Sequence, residues 1–253
     1  LDNNGIPITY ELFPGNTMDQ NTLVESVEKL KNIYHLDKIT VVADRGMNGG
    51  ENLVYLDRSG YDFVISYTLK RSADAFKELV FQTDGWQDTW DDVHKEVVYR
   101  EKILRQALKV KVPISQEATQ AAGKKKRGRP RKYELVEIPV KIHLTWSAKR
   151  ARKDKGDRER ILERLKKRLD KPYQLKASIK RGCNQYLQME VDTKNWTLDE
   201  EKIKQAERFD GYYAIVTNNL NLSTEQVCQT YRGIWKIEES FRILKTDLRA
   251  RPV

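Results

Sequence analysis

The chain has 253 residues, 39% of them hydrophobic, long enough for one large domain or a domain with a big insertion. Lys and Arg number 47 against 37 Asp and Glu, a net charge of +10 with a pI near 9.4, so a polyanionic partner is a reasonable expectation. No stretch approaches ~18 consecutive apolar residues, Cys183 and Cys228 lie far apart, and His35, His94 and His143 show no paired spacing, which argues against a membrane span, a disulfide scaffold and a zinc site.

Taken in chain order, "PITYELF" alternates and is rich in β-formers, so it reads as a strand. "PGNTMDQN" is turn chemistry, with Thr17 or Asp19 placed to cap a helix. Leu23, Val27, Leu30, Ile33 and Tyr34 recur at helical spacing, which predicts an amphipathic helix over roughly 18–35. "KITVVAD" is a near-continuous apolar run and reads as a fully buried strand. "NGGENLVYLDRSG" reads as a short helix closed by Gly60, and "YDFVISYTL" as another strand. Alternating strands and helices predict a parallel-type α/β sheet.

From Lys70 to about Arg208 the pattern changes to charged sequence with short β-like runs, "KEVVYRE", "VEIPVKIHLTW" and "NQYLQMEV". A long charged helix, "KGDRERILERLKKRLDK", lies between them, supported in solvent by opposite charges three and four residues apart. This block reads as a β-rich insertion. Within it, seven of the nine residues from Lys124 to Lys132 are Lys or Arg, a run that cannot pack a core and should form an arm. Its Arg127-Gly128-Arg129-Pro130 resembles an AT-hook, which lays arginines in the narrow minor groove of A·T-rich DNA. The alternative is a basic loop in which Lys125, Arg127, Arg129 and Arg131 touch phosphates without preference.

"FDGYYAIVTNN" follows, a turn at Asp210-Gly211 and a strand from Tyr212 to Thr217. Ser223 or Thr224 can then cap a helix reaching to about Leu248, with Glu225 in its first turn. Val227, Tyr231, Ile234, Ile237, Phe241, Leu244 and Leu248 make an apolar stripe expected to bury against the sheet. Beside it run Tyr231, Trp235, Glu238, Arg242 and Lys245, which puts Glu238 at the border of the buried face.

Two carboxylates stand out. Asp44 ends the "ITVVAD" strand, and ligands of open α/β sheets gather at the carboxyl ends of strands. Glu238 arrives on the late helix. Each is simply a salt-bridged residue, or the two converge. Convergent carboxylates repel unless a divalent ion binds them. A pair of such ions, Mg²⁺ or Mn²⁺, activates a nucleophilic oxygen and stabilises the leaving oxygen in phosphodiester chemistry.

The stretch "YRGIWKIEESFRILK" places Tyr231, Glu238 and Lys245 at the spacing of a Y-(2)-R-(3)-E-(6)-K signature, with Trp235, Ile237 and Phe241 completing "W-x-I-E-x-x-F". In this the chain resembles the DDE transposases of bacterial and archaeal insertion sequences. "VVADRGM" looks like that family's second-aspartate strand, and "YELFPGNTMD" and "FDGYYAIVTN" like its flanking segments. The spacing selects Glu238 over Glu239. The signature arginine falls on Ile234, with Arg232 or Lys236 as the candidate substitutes for its charge.

The resemblance implies a ribonuclease-H-like fold, a mixed sheet with flanking helices and a β-rich insertion before the glutamate helix. Core segments would be residues 1–69 and 209–253, with 70–208 as the insertion. It implies catalytic and metal-binding Asp44 and Glu238, and a two-ion Mg²⁺ or Mn²⁺ site. DNA would be held by Tyr231, Arg232, Trp235, Lys236, Arg242 and Lys245. The reaction would be cleavage at terminal inverted repeats and transfer of the 3′ end to target DNA. A homodimer in the prokaryotic cytoplasm, associated with the nucleoid, would carry it out.

The chain opens with Leu1, and "LDNNGIPITYELFPGN" looks like the middle of a sheet. A C-terminal fragment is expected, inactive by itself, with the first catalytic aspartate upstream. Asp2 is a poor substitute because "DNNG" is turn sequence. The competing readings are a nuclease or non-catalytic DNA-binding remnant of the same fold, and a basic interaction domain with its carboxylates in salt bridges.

Overall fold

A computed structural model describes residues 6, 8–18, 21–44, 49–114, 132–169, 182–189 and 196–247. In chain order the elements are α1 (Leu23–Tyr34), β1 (Thr40–Ala43), α2 (Gly50–Arg58), β2 (Asp62–Ser66), α3 (Asp74–Phe81), β3 (Gln87–Asp91), β4 (Glu96–Pro113) and β5 (Tyr133–Ser147). Then come α4 (Ala148–Leu169), β6 (Leu187–Met189), β7 (Trp196–Leu198), α5 (Glu200–Glu207), β8 (Tyr212–Thr217) and α6 (Thr224–Thr246). Short 3₁₀ turns cover Leu69–Arg71 and Gly182–Tyr186. The protein is mixed α/β and packs as two compact units, one from 1–67, 103–143 and 214–253 and the other from 68–102 and 144–213.

In the first unit the strand order is β1-β2-β8-β5-β4. β1 and β2 are parallel, Val42 opposite Val64, but β2 and β8 are antiparallel, Ile65 opposite Val216. The sheet is therefore mixed, where alternation of strands and helices predicted a parallel one. Apolar runs such as Phe63-Val64-Ile65, all buried, specify a strand covered on both faces. They do not specify the direction of its neighbour, which the long excursion before β8 decides.

Residues 8–14 form no strand, and Ile8, Tyr10 and Leu12 are exposed. Alternation makes a segment fit to pair, but strand geometry persists only where a neighbour takes its N–H and C=O groups. In α1 only Leu23 and Val27 bury, and Ile33 and Tyr34 remain exposed. α2 covers β2 with Leu53, Val54 and Leu56 and ends as expected at Gly60, whose φ of 72° lies in the left-handed region.

Gly50, the last glycine of "MNGG", lies against the β4 backbone. A Cβ there would run into the Lys111 carbonyl oxygen, with the Lys111 carbon at 3.1 Å and nitrogen at 3.3 Å. Only glycine permits that approach.

The second unit is built around Leu165, Tyr186, Leu187 and Ile203, flanked by Ile161, Leu162, Trp196 and Leu198. β6 and β7 form a small antiparallel pair there. Two buried cations are each satisfied. Lys102 Nζ donates to the Leu79 carbonyl at 2.8 Å and the Gln82 carbonyl at 3.3 Å, at the C-terminal end of α3, where orphan carbonyls collect. Burial pushes its ammonium pKa down. Arg158 meets Asp210 at 2.5 Å and Glu207 at 3.5 Å.

Candidate functional site

β1 is four residues long, and its last residue, Ala43, is buried. Asp44 follows at once and is exposed. A carboxylate at a buried strand end thus escapes the desolvation cost by leaving the sheet. Because β1 and β2 are parallel, their carboxyl ends share one edge, where Asp44 stands with Ser66 of β2.

The glutamate helix is positioned by its first turn. Ser223 is its cap: the Ser223 hydroxyl accepts from the Gln226 N–H at 3.2 Å, and the Gln226 side-chain oxygen accepts from the Ser223 N–H at 2.9 Å, a complete capping box. Val227 is fully buried beneath it. The lead-in from β8 is tied down on two sides. Asn218 Oδ1 accepts from the Phe63 N–H at 2.8 Å while its Nδ2 donates to the Tyr61 carbonyl at 3.0 Å, and Asn219 Nδ2 donates to Asp62 at 2.7 Å. From β5, Lys141 Nζ donates to the Leu222 carbonyl at 2.6 Å, and His143 Nδ1 lies 3.0 Å from the Thr224 hydroxyl. The His143 ring is 1% exposed. Burial, aided by the charge of Lys141, lowers its pKa to about 4, so it is neutral at pH 7.

Apart from the Ser223 cap, none of these supports stands out in the sequence. "TNN" after a strand was the available signal, since Asn side chains fasten neighbouring backbone. His143 and Lys141 read only as residues of an alternating strand.

α6 packs on β1 and β2, so the helix of the signature and the strand that ends at Asp44 are neighbours. The stripe expected to bury is covered only at its start. Thr224 and Val227 are buried, Tyr231 and Ile234 are half-buried, and Ile237, Phe241 and Leu244 are exposed. Glu238 is likewise exposed, not at the border of a buried face. The reason is length. A helix of 23 residues spans about 34 Å, whereas a four-residue strand spans about 13 Å, so the later turns outrun the strands beneath them.

Trp235, Arg232, Lys236, Arg242 and Lys245 are exposed along the same helix, with Trp235 at 62%. Arg242 meets Glu239 at 2.9 Å, one helical turn away. Glu239 therefore has a structural partner, which separates it from its neighbour Glu238. The other segments of interest, Asp2 and the arm with Lys125, Arg127, Arg129 and Arg131, lie outside the described residues, as do Arg45 to Asn48. Among the described residues no three His, Cys, Asp or Glu side chains come together as a metal-binding group. Asp44 and Glu238 are by themselves an incomplete ligand set for a divalent ion.

Among the described residues no helix is long and apolar enough to cross a membrane. No curated protein and no solved structure matches the chain. A family model does, the transposase DDE domain, over residues 1–253. The chain, with its carboxylate at the end of β1 and its glutamate helix packed on that strand, belongs to the transposase DDE domain family.

Proposed function

We propose that the chain is the catalytic domain of an insertion-sequence transposase of the Y-(2)-R-(3)-E-(6)-K group, cleaving DNA at terminal inverted repeats and transferring the 3′ end to target DNA. The observation that carries this reading is the packing of α6, with Tyr231, Glu238 and Lys245 in signature spacing, on the strand that delivers Asp44. The mixed sheet, with β1 and β2 parallel and β8 antiparallel, is read as the ribonuclease-H-like core. Residues 70–208 are read as its insertion.

In this reading Asp44 and Glu238 are catalytic and are ligands of a divalent ion, Mg²⁺ or Mn²⁺. Such an ion supplies an activated oxygen nucleophile and charge stabilisation at the leaving oxygen. Two carboxylates do not complete a two-ion site, which takes a further ligand. The remaining residues hold the substrate. Tyr231 and Trp235 offer rings, and Arg232, Lys236, Arg242 and Lys245 offer positive charge to phosphates along one exposed helix. Lys125, Arg127, Arg129 and Arg131 of the arm add phosphate contacts. The working form is a homodimer on DNA in the prokaryotic nucleoid.

The test is strand cleavage of inverted-repeat duplex in Mn²⁺ by the complete transposase and by its Asp44→Asn and Glu238→Gln variants. Loss of a ligand should cost more than the ~100-fold typical of groups behind a ligand, while DNA affinity stays within about threefold. Cleavage that survives both changes would remove these residues from the reaction. The incomplete ligand set among the described residues favours one other reading, a DNA-binding remnant. A complete protein that binds but never cuts would select it.

A further inference from the structure

Helix α4 carries charge that its own fold does not use. Of its 22 residues, eleven are Lys or Arg and four are Asp or Glu. One face is spent on packing: Arg158 and Leu165 are buried, with Ile161, Leu162 and Leu169 against the same core. At about 100° per residue the opposite face is Lys149, Arg152, Lys153, Gly156, Arg160, Glu163, Arg164 and Lys167. Apart from the glycine these residues are exposed. That strip holds six cations and a single carboxylate.

The ion pairs of the helix leave most of the strip out. Arg150 pairs with Asp154, Lys155 with Glu159, Arg158 with Asp210, and Arg160 with Asp157. Among the described residues Lys149, Arg152, Lys153, Arg164 and Lys167 make no ion pair. Unpaired like charges on one helix face repel, at a cost in helix stability.

Gly156 sits in the middle of the strip. A glycine inside a helix is disfavoured about fivefold against alanine. Packing does not explain it, because a Cβ at Gly156 would meet nothing within 4 Å. Glycine at such a point leaves room for another backbone to come close.

We infer that the outward strip of α4 binds the phosphate backbone of duplex DNA, with Gly156 as the point of closest approach. This rests on the transposase reading and adds a surface to it. From Lys149 to Lys167 the strip runs about 27 Å, the axial rise of about eight base pairs at 3.4 Å each. Backbone contacts of this kind position a duplex without reading its sequence. An anionic membrane fits less well, because a membrane-surface helix must offer an apolar face and that of α4 is already buried.

The test is duplex affinity of the whole chain as a function of salt. Four variants are compared with wild type: Lys149→Gln/Lys153→Gln/Arg164→Gln/Lys167→Gln, Glu163→Lys, Gly156→Ala and Glu238→Gln. The fourfold change should make the log–log salt slope shallower by about three to four and weaken binding at least tenfold at 0.1 M salt. Glu163→Lys should steepen the slope by about one, a gain that misfolding cannot produce. Gly156→Ala should raise the melting temperature yet weaken DNA binding severalfold. Wild-type slope and affinity in the fourfold and Glu163→Lys variants would overturn the inference while leaving the transposase reading intact. Wild-type chain without DNA affinity would overturn both. Glu238→Gln should keep the wild-type slope and affinity, and a loss there as large as in the fourfold variant would overturn the assignment of binding to this strip. Tighter binding of the strip to anionic vesicles than to duplex would also overturn it.

Discussion

His143 offers a quantitative test of how α6 is seated. Its ring is 1% exposed, and its Nδ1 lies 3.0 Å from the hydroxyl of Thr224, the first residue of the helix. Burial holds the folded pKa at about 4, against 6.5 for an ordinary imidazole. Between these values the unfolded chain carries a proton on the ring and the folded chain does not. Stability contributed by the neutral ring is therefore complete above pH 6.5 and falls as pH falls, until the folded ring protonates near 4. The whole difference is worth about 3 kcal/mol, and about 2 kcal/mol of it should be gone by pH 5. The perturbation is His143→Asn, which keeps a polar atom near Nδ1 but cannot titrate. The assay is urea denaturation of both proteins at pH 7.5 and pH 5, following a probe on the unit that contains α6. The variant should be less stable at pH 7.5, since it leaves a gap, but its loss on going to pH 5 should be smaller than the wild-type loss by about 2 kcal/mol. Carboxylates contribute equally to both proteins and cancel in the difference. An identical pH dependence would refute the reasoning, because it would mean the imidazole titrates normally in the folded protein.

Gly50→Ala should cost about 1–3 kcal/mol in denaturant melts, because the new Cβ meets the Lys111 carbonyl and the helix start must move off β4. Arg158→Met should cost about 3–5 kcal/mol by leaving Asp210 without its partner at 2.5 Å, and adding Asp210→Asn should recover part of that. Ser223→Ala should cost about 1 kcal/mol through loss of the capping box, with Ser223→Gly costing only a few tenths. Arg127→Ala/Arg129→Ala in the arm should make the salt slope of DNA binding shallower by about one per lost contact, and an unchanged slope would remove the arm from the interface. If those arginines enter the minor groove, the double change should also erase any preference for A·T-rich duplex.

Local chemistry was legible in the sequence. β2 and β8 are apolar runs that form largely buried strands, whereas β1, expected to be fully buried, lies at the sheet edge with only Ala43 buried; α2 ends at the glycine that must take a positive φ, and Ser223 starts α6 because its hydroxyl and Gln226 satisfy each other's backbone. The spacing of Tyr231, Glu238 and Lys245 depends only on residues of one helix, so one segment carried the signature of the family resemblance. Tertiary structure decided what depends on distant partners. The direction of β8 beside β2 follows from where the chain returns, and no residue of either strand encodes it. The alternation of residues 8–14 and the apolar stripe of α6 are real patterns, yet both stay largely exposed because no neighbour in the described fold covers them. The β-like runs "KEVVYRE" and "VEIPVKIHLTW" became parts of strands of 18 and 15 residues, since pairing extends a strand past its own best segment. Lys102 and Arg158 look like surface residues in sequence, His143 like a surface or core one, and all three are buried in the fold. A polar side chain can be enclosed when carbonyls, a hydroxyl or carboxylates from remote segments meet it, and only the assembled chain supplies those.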